Sequence, residues 1–233
     1  MTDWSVIIIG GCVLARRPKK TAKGATQPTA RGRKIKPEAR RRAILEAALA
    51  EFAERGFAAA RLDDVAARAG VAKGTLYLYF EDKEALFEEL IRSAVSPLID
   101  QFSRIAAAPD LSPVEALDTL FALFEKEVLG TDRKLLLRLI IAEGARFPAI
   151  AEVYYREVVT RGLRLMHGLA ERASAEGIFA TQAASHYPQL IVAPLLVAVI
   201  WDSLFSRIHP LDVGGLLRAH RDVLTGKARK DSP

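Results

Sequence analysis

The chain has 233 residues, a net charge of +6 and a composition that is 50% hydrophobic, so it can bury the core of one large domain or two small ones. Its one cysteine, Cys12, excludes a disulfide framework and any multi-cysteine metal site, and fits a reducing, cytoplasmic setting. No HExxH, GxSxG, P-loop or GxGxxG pattern occurs, and His167, His186, His209 and His220 show no ligand-like grouping with carboxylates. The sequence therefore points to no cofactor, no metal and no enzyme.

Charge is unevenly placed. Residues 1–42 carry twelve Lys or Arg against Asp3 and Glu38, a net of +10, which leaves −4 for the rest. The stretch 15–36 is rich in Lys, Arg, Gly, Thr and Pro and cannot bury enough apolar surface to order itself. Residues 1–36 read as a disordered basic arm, or as an extension upstream of a start at Val13. The apolar run from Val6 to Leu14 is too short to span a bilayer and lacks the basic segment that precedes a signal sequence, so no membrane segment is expected.

From Pro37 the chain becomes periodic. Ile44, Leu45, Ala48, Leu49 and Phe52 form one apolar stripe, which predicts a helix from Pro37 to about Glu54, ended by Gly56. A second helix is predicted from about Leu62 to Ala69, followed by a tight turn at Gly70. A third runs from about Lys73 to Tyr79, and Asp82 caps a fourth that carries Leu86, Phe87, Leu90 and Ile91. Short helices joined by a glycine turn make a helix-turn-helix over about 61–80. On a helical wheel Leu76 and Phe80 share the inner face of the third helix, while Gly74, Tyr77 and Leu78 point away, flanked by Lys73 and Thr75. That outward face suits the major groove of double-stranded DNA. Lys73 can reach a phosphate or a guanine edge, Gly74 lets backbone approach, Leu78 can meet a thymine methyl, and Thr75, Tyr77 and Tyr79 can donate to phosphates. Lys83, at the start of the fourth helix, and the basic pair Arg41 and Arg42 are further candidate phosphate contacts.

The stretches ILEAALAEFAERGF (Ile44–Phe57) and LDDVAARAGVAKGTLYLYFEDKEAL (Leu62–Leu86), with the spacing between them, resemble the DNA-binding domain of the tetracycline-repressor (TetR) family of bacterial transcription regulators. Two positions depart from the family pattern. Arg61 stands where a Ser or Thr is usual before Leu62, and Ala72 where a Ser usually opens the recognition helix. Each substitution removes a capping hydroxyl at a cost of about 1 kcal/mol, and Arg61 can compensate as a phosphate contact. A DNA-packaging protein that binds without sequence choice is the rival reading.

The remainder reads as five or so helices. Ser112-Pro113-Val114-Glu115 is a capping box with proline at the first helical position. Asp132 opens a helix that ends near Pro148, a long helix covers about Ala149–Ala175 before Gly177, and Pro188 and Asp212 open the last two. The expected architecture is all-α: an N-terminal helix-turn-helix domain at 37–92, a helical bundle at 93–225 and a tail at 226–233.

The resemblance implies that the bundle binds a small-molecule effector and forms a homodimer through its last two long helices, about 188–208 and 212–225. The run LIVAPLLVAVIW (Leu190–Trp201), apolar nearly all round, fits a helix buried between the core and a partner subunit. The stretch RLIIAEGARFPAIAEVYYREVV is similar to the C-terminal domain of the AefR-like subgroup. Phe121, Phe124, Arg138, Phe147, Tyr154 and Trp201 are candidate lining residues for a hydrophobic or aromatic effector, and Arg138 and Glu143 are polar interruptions of an apolar helix. The sequence thus predicts a ligand-responsive regulator, a homodimeric repressor released from a palindromic operator.

Overall fold

The computed structural model describes residues 37–227. The basic arm expected over 1–36 and residues 228–233 lie outside the described residues. Every regular element among the described residues is helical.

Helix α1 spans Pro37–Ala59 and breaks at Gly56, whose φ of 75° and ψ of 168° leave the helical region. A residue with a Cβ is disfavoured there, and the sequence supplies the one type that is not. Helix α2 (Leu62–Arg68) follows, then Gly70 at φ 66°, and then the short α3 (Lys73–Tyr77). As the residue types at Arg61 and Ala72 imply, neither α2 nor α3 has a side-chain N-cap bond. Helix α4 (Lys83–Ala106) is capped by Asp82, whose Oδ1 accepts from the Ala85 amide at 2.7 Å.

Helix α5 (Pro113–Phe124) starts at the expected capping box. Ser112 Oγ accepts from the Glu115 amide, and Glu115 Oε2 accepts from the Ser112 amide. A π turn, Glu125–Leu129, continues it. Next comes α6 (Arg133–Glu143). The long helix expected over 149–175 is present as α7 (Pro148–Tyr154), a second π turn (Tyr155–Val159) and α8 (Thr160–Ala175), closed by Gly177 at φ 67°. A short helix α9 (Ala183–His186), with no strong pattern in the sequence, precedes α10 (Gln189–Leu204) and α11 (Val213–Leu224). Asp212 caps α11 by accepting from the Gly215 amide at 2.9 Å.

Two apolar clusters hold these helices. In the first, Ile44, Phe52, Val65, Leu76, Phe80 and Phe87 from α1–α4 pack with Leu136 and Leu139 of α6 and Ile150 of α7. The DNA-binding helices therefore do not close a core of their own; α6 and α7 complete it. The second cluster joins α5, α8, α10 and α11 around Leu117, Leu120, Phe121, Leu169, Ile191 and Leu217. Helix α4 reaches from the first cluster to the second through Leu86 at one end and Ala106 at the other. Burying one side chain such as Leu76 contributes about 1.5–3 kcal/mol, so each cluster fixes its helices firmly.

Candidate nucleic-acid interface

The interface is built around Leu76. Its side chain is fully buried, with Phe80 nearly so, and this sets which face of α3 turns outward. Leu78, two residues on, is 85% exposed, Tyr77 is 45% exposed, and Gly74 and Lys73 are exposed beside them. Thr75 is half-buried. Leu78 is the C-cap of α3 and packs on neither apolar cluster. Tyr79 is half-buried instead, packed on the first cluster with its ring 6.3 Å from that of Phe80.

The charges nearby are mostly paired. Lys73 Nζ donates to Asp63 Oδ2 at 2.8 Å, and this hydrogen bond holds the Lys73 ammonium above the ordinary lysine value. The same ammonium lies 5.8 Å from the centroid of the Tyr77 ring. Arg41 pairs with Glu89, and Arg42 with Glu46 at 3.6 Å. Arg61 is exposed, and its side chain makes no N-cap bond to α2. Around the back, Glu51, Glu54, Arg55, Asp64 and Arg68 link α1 to α2. Arg55 Nε meets the buried Glu51 at 3.0 Å, and Arg68 Nη1 donates to Glu54 Oε1 at 2.8 Å.

Lys83 occupies a different place from the one its position in the sequence suggested. Its Nζ donates to the carbonyl oxygens of Phe57 at 2.6 Å, Ala58 at 3.2 Å and Ala60 at 3.4 Å, and sits 4.6 Å from the Phe57 ring centroid. These carbonyls end α1 and have no helical partner, so a lysine is the natural donor for them. Lys83 thus holds the frame of the interface through these carbonyls, with its side chain half-buried.

The six candidate effector residues do not meet. Phe121 and Phe124 are buried in the second cluster. Phe147 stands edge-on to Phe57, with ring centroids 5.3 Å apart. Tyr154 packs on the first cluster, where burial pushes its hydroxyl up to about 12. Trp201 Nε1 donates to the His209 carbonyl at 2.7 Å. Arg138 alone of the six lines a cavity of about 320 Å³ between α1, α6 and α10, whose walls include Phe52, Leu135, Leu139 and Val199. Glu143 also reaches this cavity, and sequence reasoning gave no sign of its main contact. Its Oε1 accepts from the Phe57 amide at 2.9 Å and its Oε2 from the Ala58 amide at 3.1 Å. That bond spans 86 residues of sequence, which no local pattern reports.

Among the described residues no group of three His, Cys, Asp or Glu is placed to hold a metal ion, and no helix is long and apolar enough to cross a membrane.

A buried inner face, a glycine turn and an exposed polar and aromatic outer face together define a helix-turn-helix DNA-reading unit. Residues 44–90 match the sequence model of the bacterial regulatory proteins, tetR family. The chain is 37% identical over 85 residues to the HTH-type transcriptional repressor KstR2 of Mycolicibacterium smegmatis, covering 36% of this chain and 41% of that protein. It thus spans about two fifths of the length of that relative. It is 30% identical over 189 residues to the HTH-type transcriptional regulator YhgD of Bacillus subtilis, covering 78% of this chain and 94% of that one. Its fold is similar to that of the fatty acid degradation regulator FadR from Bacillus halodurans, with a TM-score of 0.65 and 26% identity over 82% of this chain and 96% of the other. The chain belongs to the TetR family of bacterial transcription regulators.

Proposed function

We propose that the protein is a homodimeric repressor that reads a palindromic operator and leaves it when a small apolar effector binds. The observation that carries the DNA reading is the opposed placement of Leu76, fully buried within α3, and Leu78, 85% exposed at its C-cap. Lys73, Gly74, Thr75, Tyr77 and Leu78 supply the major-groove face, and Arg61 and the Arg41–Arg42 pair supply phosphate contacts at its edge. Tyr79 adds its hydroxyl from a half-buried ring. Ion pairing to Asp63 does not remove Lys73 from this set, because an exposed pair is weak enough for a phosphate to displace.

The dimer reading rests on α10. Ile191, Leu195 and Val199 pack in the second cluster and Pro194 and Ala198 are buried beside them, while Leu190, Leu196, Val197, Ile200 and Leu204 are exposed along the opposite side. On α11, Val223 is exposed as well. An apolar stripe of this length on α10, one of the two helices that the family uses for pairing, favours a second copy of the chain as its cover. Two subunits then place α3 helices in major grooves roughly 34–36 Å apart.

For the effector, the cavity beside Arg138 favours an apolar body of modest size with one anionic group to meet that guanidinium. A fatty acid degradation regulator among the solved relatives fits this chemistry.

The test is selection of bound fragments from random or genomic DNA by the purified protein. A recovered palindrome with half-sites about one helical turn apart supports the reading. Strong binding at low salt with no recovered motif would support the non-specific packaging rival instead.

A further inference from the structure

Glu143 ends α6 and reaches out of the C-terminal half into the DNA-binding helices. Its two carboxylate oxygens take the amides of Phe57 and Ala58, at 2.9 and 3.1 Å. Those amides come directly after Gly56, where the chain turns out of α1 at φ 75°. The fit is close: a Cβ at position 56 would collide with Oε1 of Glu143. Lys83 holds the other side of the same loop through the carbonyls of Phe57, Ala58 and Ala60. The Phe57 ring is buried between Phe52, Phe87 and Phe147. The loop that leads into α2 is thus held at its N–H groups by α6, at its carbonyls by α4 and at its side chain by the core.

Apolar packing alone would tolerate small sliding between α6 and the loop. Two charge-assisted bonds to adjacent amides do not, because both weaken together when the carboxylate shifts. Helix α2 begins at Leu62, four residues after Ala58, and α3 is packed on α2. The seat of the recognition helix on the C-terminal half is therefore fixed through this contact.

We propose that Glu143 is a positioning residue for DNA recognition: by gripping the Phe57 and Ala58 amides it sets the placement of the helix-turn-helix that reads sequence. This rests on the regulator reading above and adds to it the residue of the C-terminal half on which specificity depends. The effect is on discrimination more than on general attraction to DNA, since phosphate attraction depends on charge and tolerates a shifted helix, whereas base contacts do not.

The experiment uses the full-length protein, the DNA that wild type selects from a random pool, and a scrambled duplex of equal length. In Glu143→Gln one acceptor becomes a donor facing a donor, so one of the two amides loses its partner. In Glu143→Ala both do. The expected result is a loss of at least tenfold in affinity for the selected DNA, larger for Ala than for Gln, with scrambled-DNA affinity within twofold of wild type and folding at the assay temperature confirmed by a thermal melt. A purely structural role predicts a lower Tm with the ratio of selected to scrambled affinity unchanged, and that result overturns the proposal. If neither variant folds, amide exchange in the wild-type complex decides. Slower exchange of the Phe57 and Ala58 amides on selected than on scrambled DNA is expected, and equal exchange on the two overturns the proposal. A wild type that shows no preference for any DNA would overturn the regulator reading itself. Intact wild-type preference with unchanged variants removes only the role of Glu143.

Discussion

Lys73 and Asp63 are joined across the helix-turn-helix by a 2.8 Å ion pair, from the first residue of α3 to the first turn of α2. Both side chains are substantially exposed, so solvent screens the pair and it adds little to stability. Its larger consequence is for DNA. A phosphate that takes the Lys73 ammonium leaves Asp63 facing a polyanion.

Asp63 is therefore expected to oppose binding. Asp63→Asn should strengthen binding to selected and scrambled DNA alike by several-fold, because it removes a negative charge and frees Lys73. Lys73→Ala should weaken binding and reduce the slope of log affinity against log salt by about 1 if the contact is to phosphate. Titrations at three or more salt concentrations measure both. A Lys73→Ala variant with unchanged slope and a relaxed base preference would place the ammonium on a base edge instead.

Leu76 inside α3 and Leu78 at its C-cap separate folding from function. Leu78→Ala should leave the thermal midpoint within a degree or two, since an exposed side chain has little packing to lose. It should relax discrimination at one base pair of the selected site, where an apolar contact to a thymine methyl is lost. Leu76→Ala should instead destabilise the protein by about 2–5 kcal/mol through the cavity it leaves. Calorimetry with binding titrations on both variants tests the pair, and the assignment of α3 fails if the two exchange behaviour.

The difference between these leucines was legible in the sequence because it depends on spacing along α3 to its C-cap. The same is true of the helix breaks at Gly56 and Gly177, the turn at Gly70 and the caps at Asp82, Ser112 and Asp212, each of which is a local steric or hydrogen-bonding requirement. What the sequence hid is non-local. Lys83 looked like a free cation at a helix start, yet three carbonyls some two dozen residues earlier claim it. Glu143 looked like a stray polar residue and is a contact between the two halves. The aromatic residues chosen as effector contacts are dispersed through two clusters because burial alone explains large apolar side chains in helices of this kind. The π turns at Glu125–Leu129 and Tyr155–Val159 carry no residue signature that a helical pattern would reveal.

The exposed stripe on α10 makes a prediction about mass. Leu196→Glu together with Val197→Glu places two charges on the outward face without touching the second cluster or the cavity beside Arg138, since both positions are exposed in the monomer and neither lines that cavity. If that face pairs two subunits, sedimentation should give a dimer for wild type at micromolar concentration and a folded monomer for the variant. Binding to a palindromic site should fall by a hundredfold or more, because the two half-sites are then no longer linked. An unchanged dimer would move the interface elsewhere.

His220 predicts how stability depends on acid. It lies on α11 with its ring 6.3 Å from that of Phe121, and its buried Nε2 has no hydrogen-bond partner among the described residues. Burial holds its imidazole below the ordinary 6.5, with the Leu190 backbone opposing part of that shift. The sign follows from proton counting. Below pH 6.5 the unfolded chain takes up a proton that the folded His220 resists, so the unfolded state gains stability as pH falls. The contribution is complete above 6.5 and is lost progressively on acidification towards the folded value. Thermal melts at pH 7 and pH 5 should therefore show a larger drop for wild type than for His220→Gln, which cannot titrate. Other groups shift both proteins alike, so the comparison isolates this ring. Equal drops would mean that the imidazole charges as readily in the folded core as in the unfolded chain, which requires α11 to open away from Phe121 at pH 5.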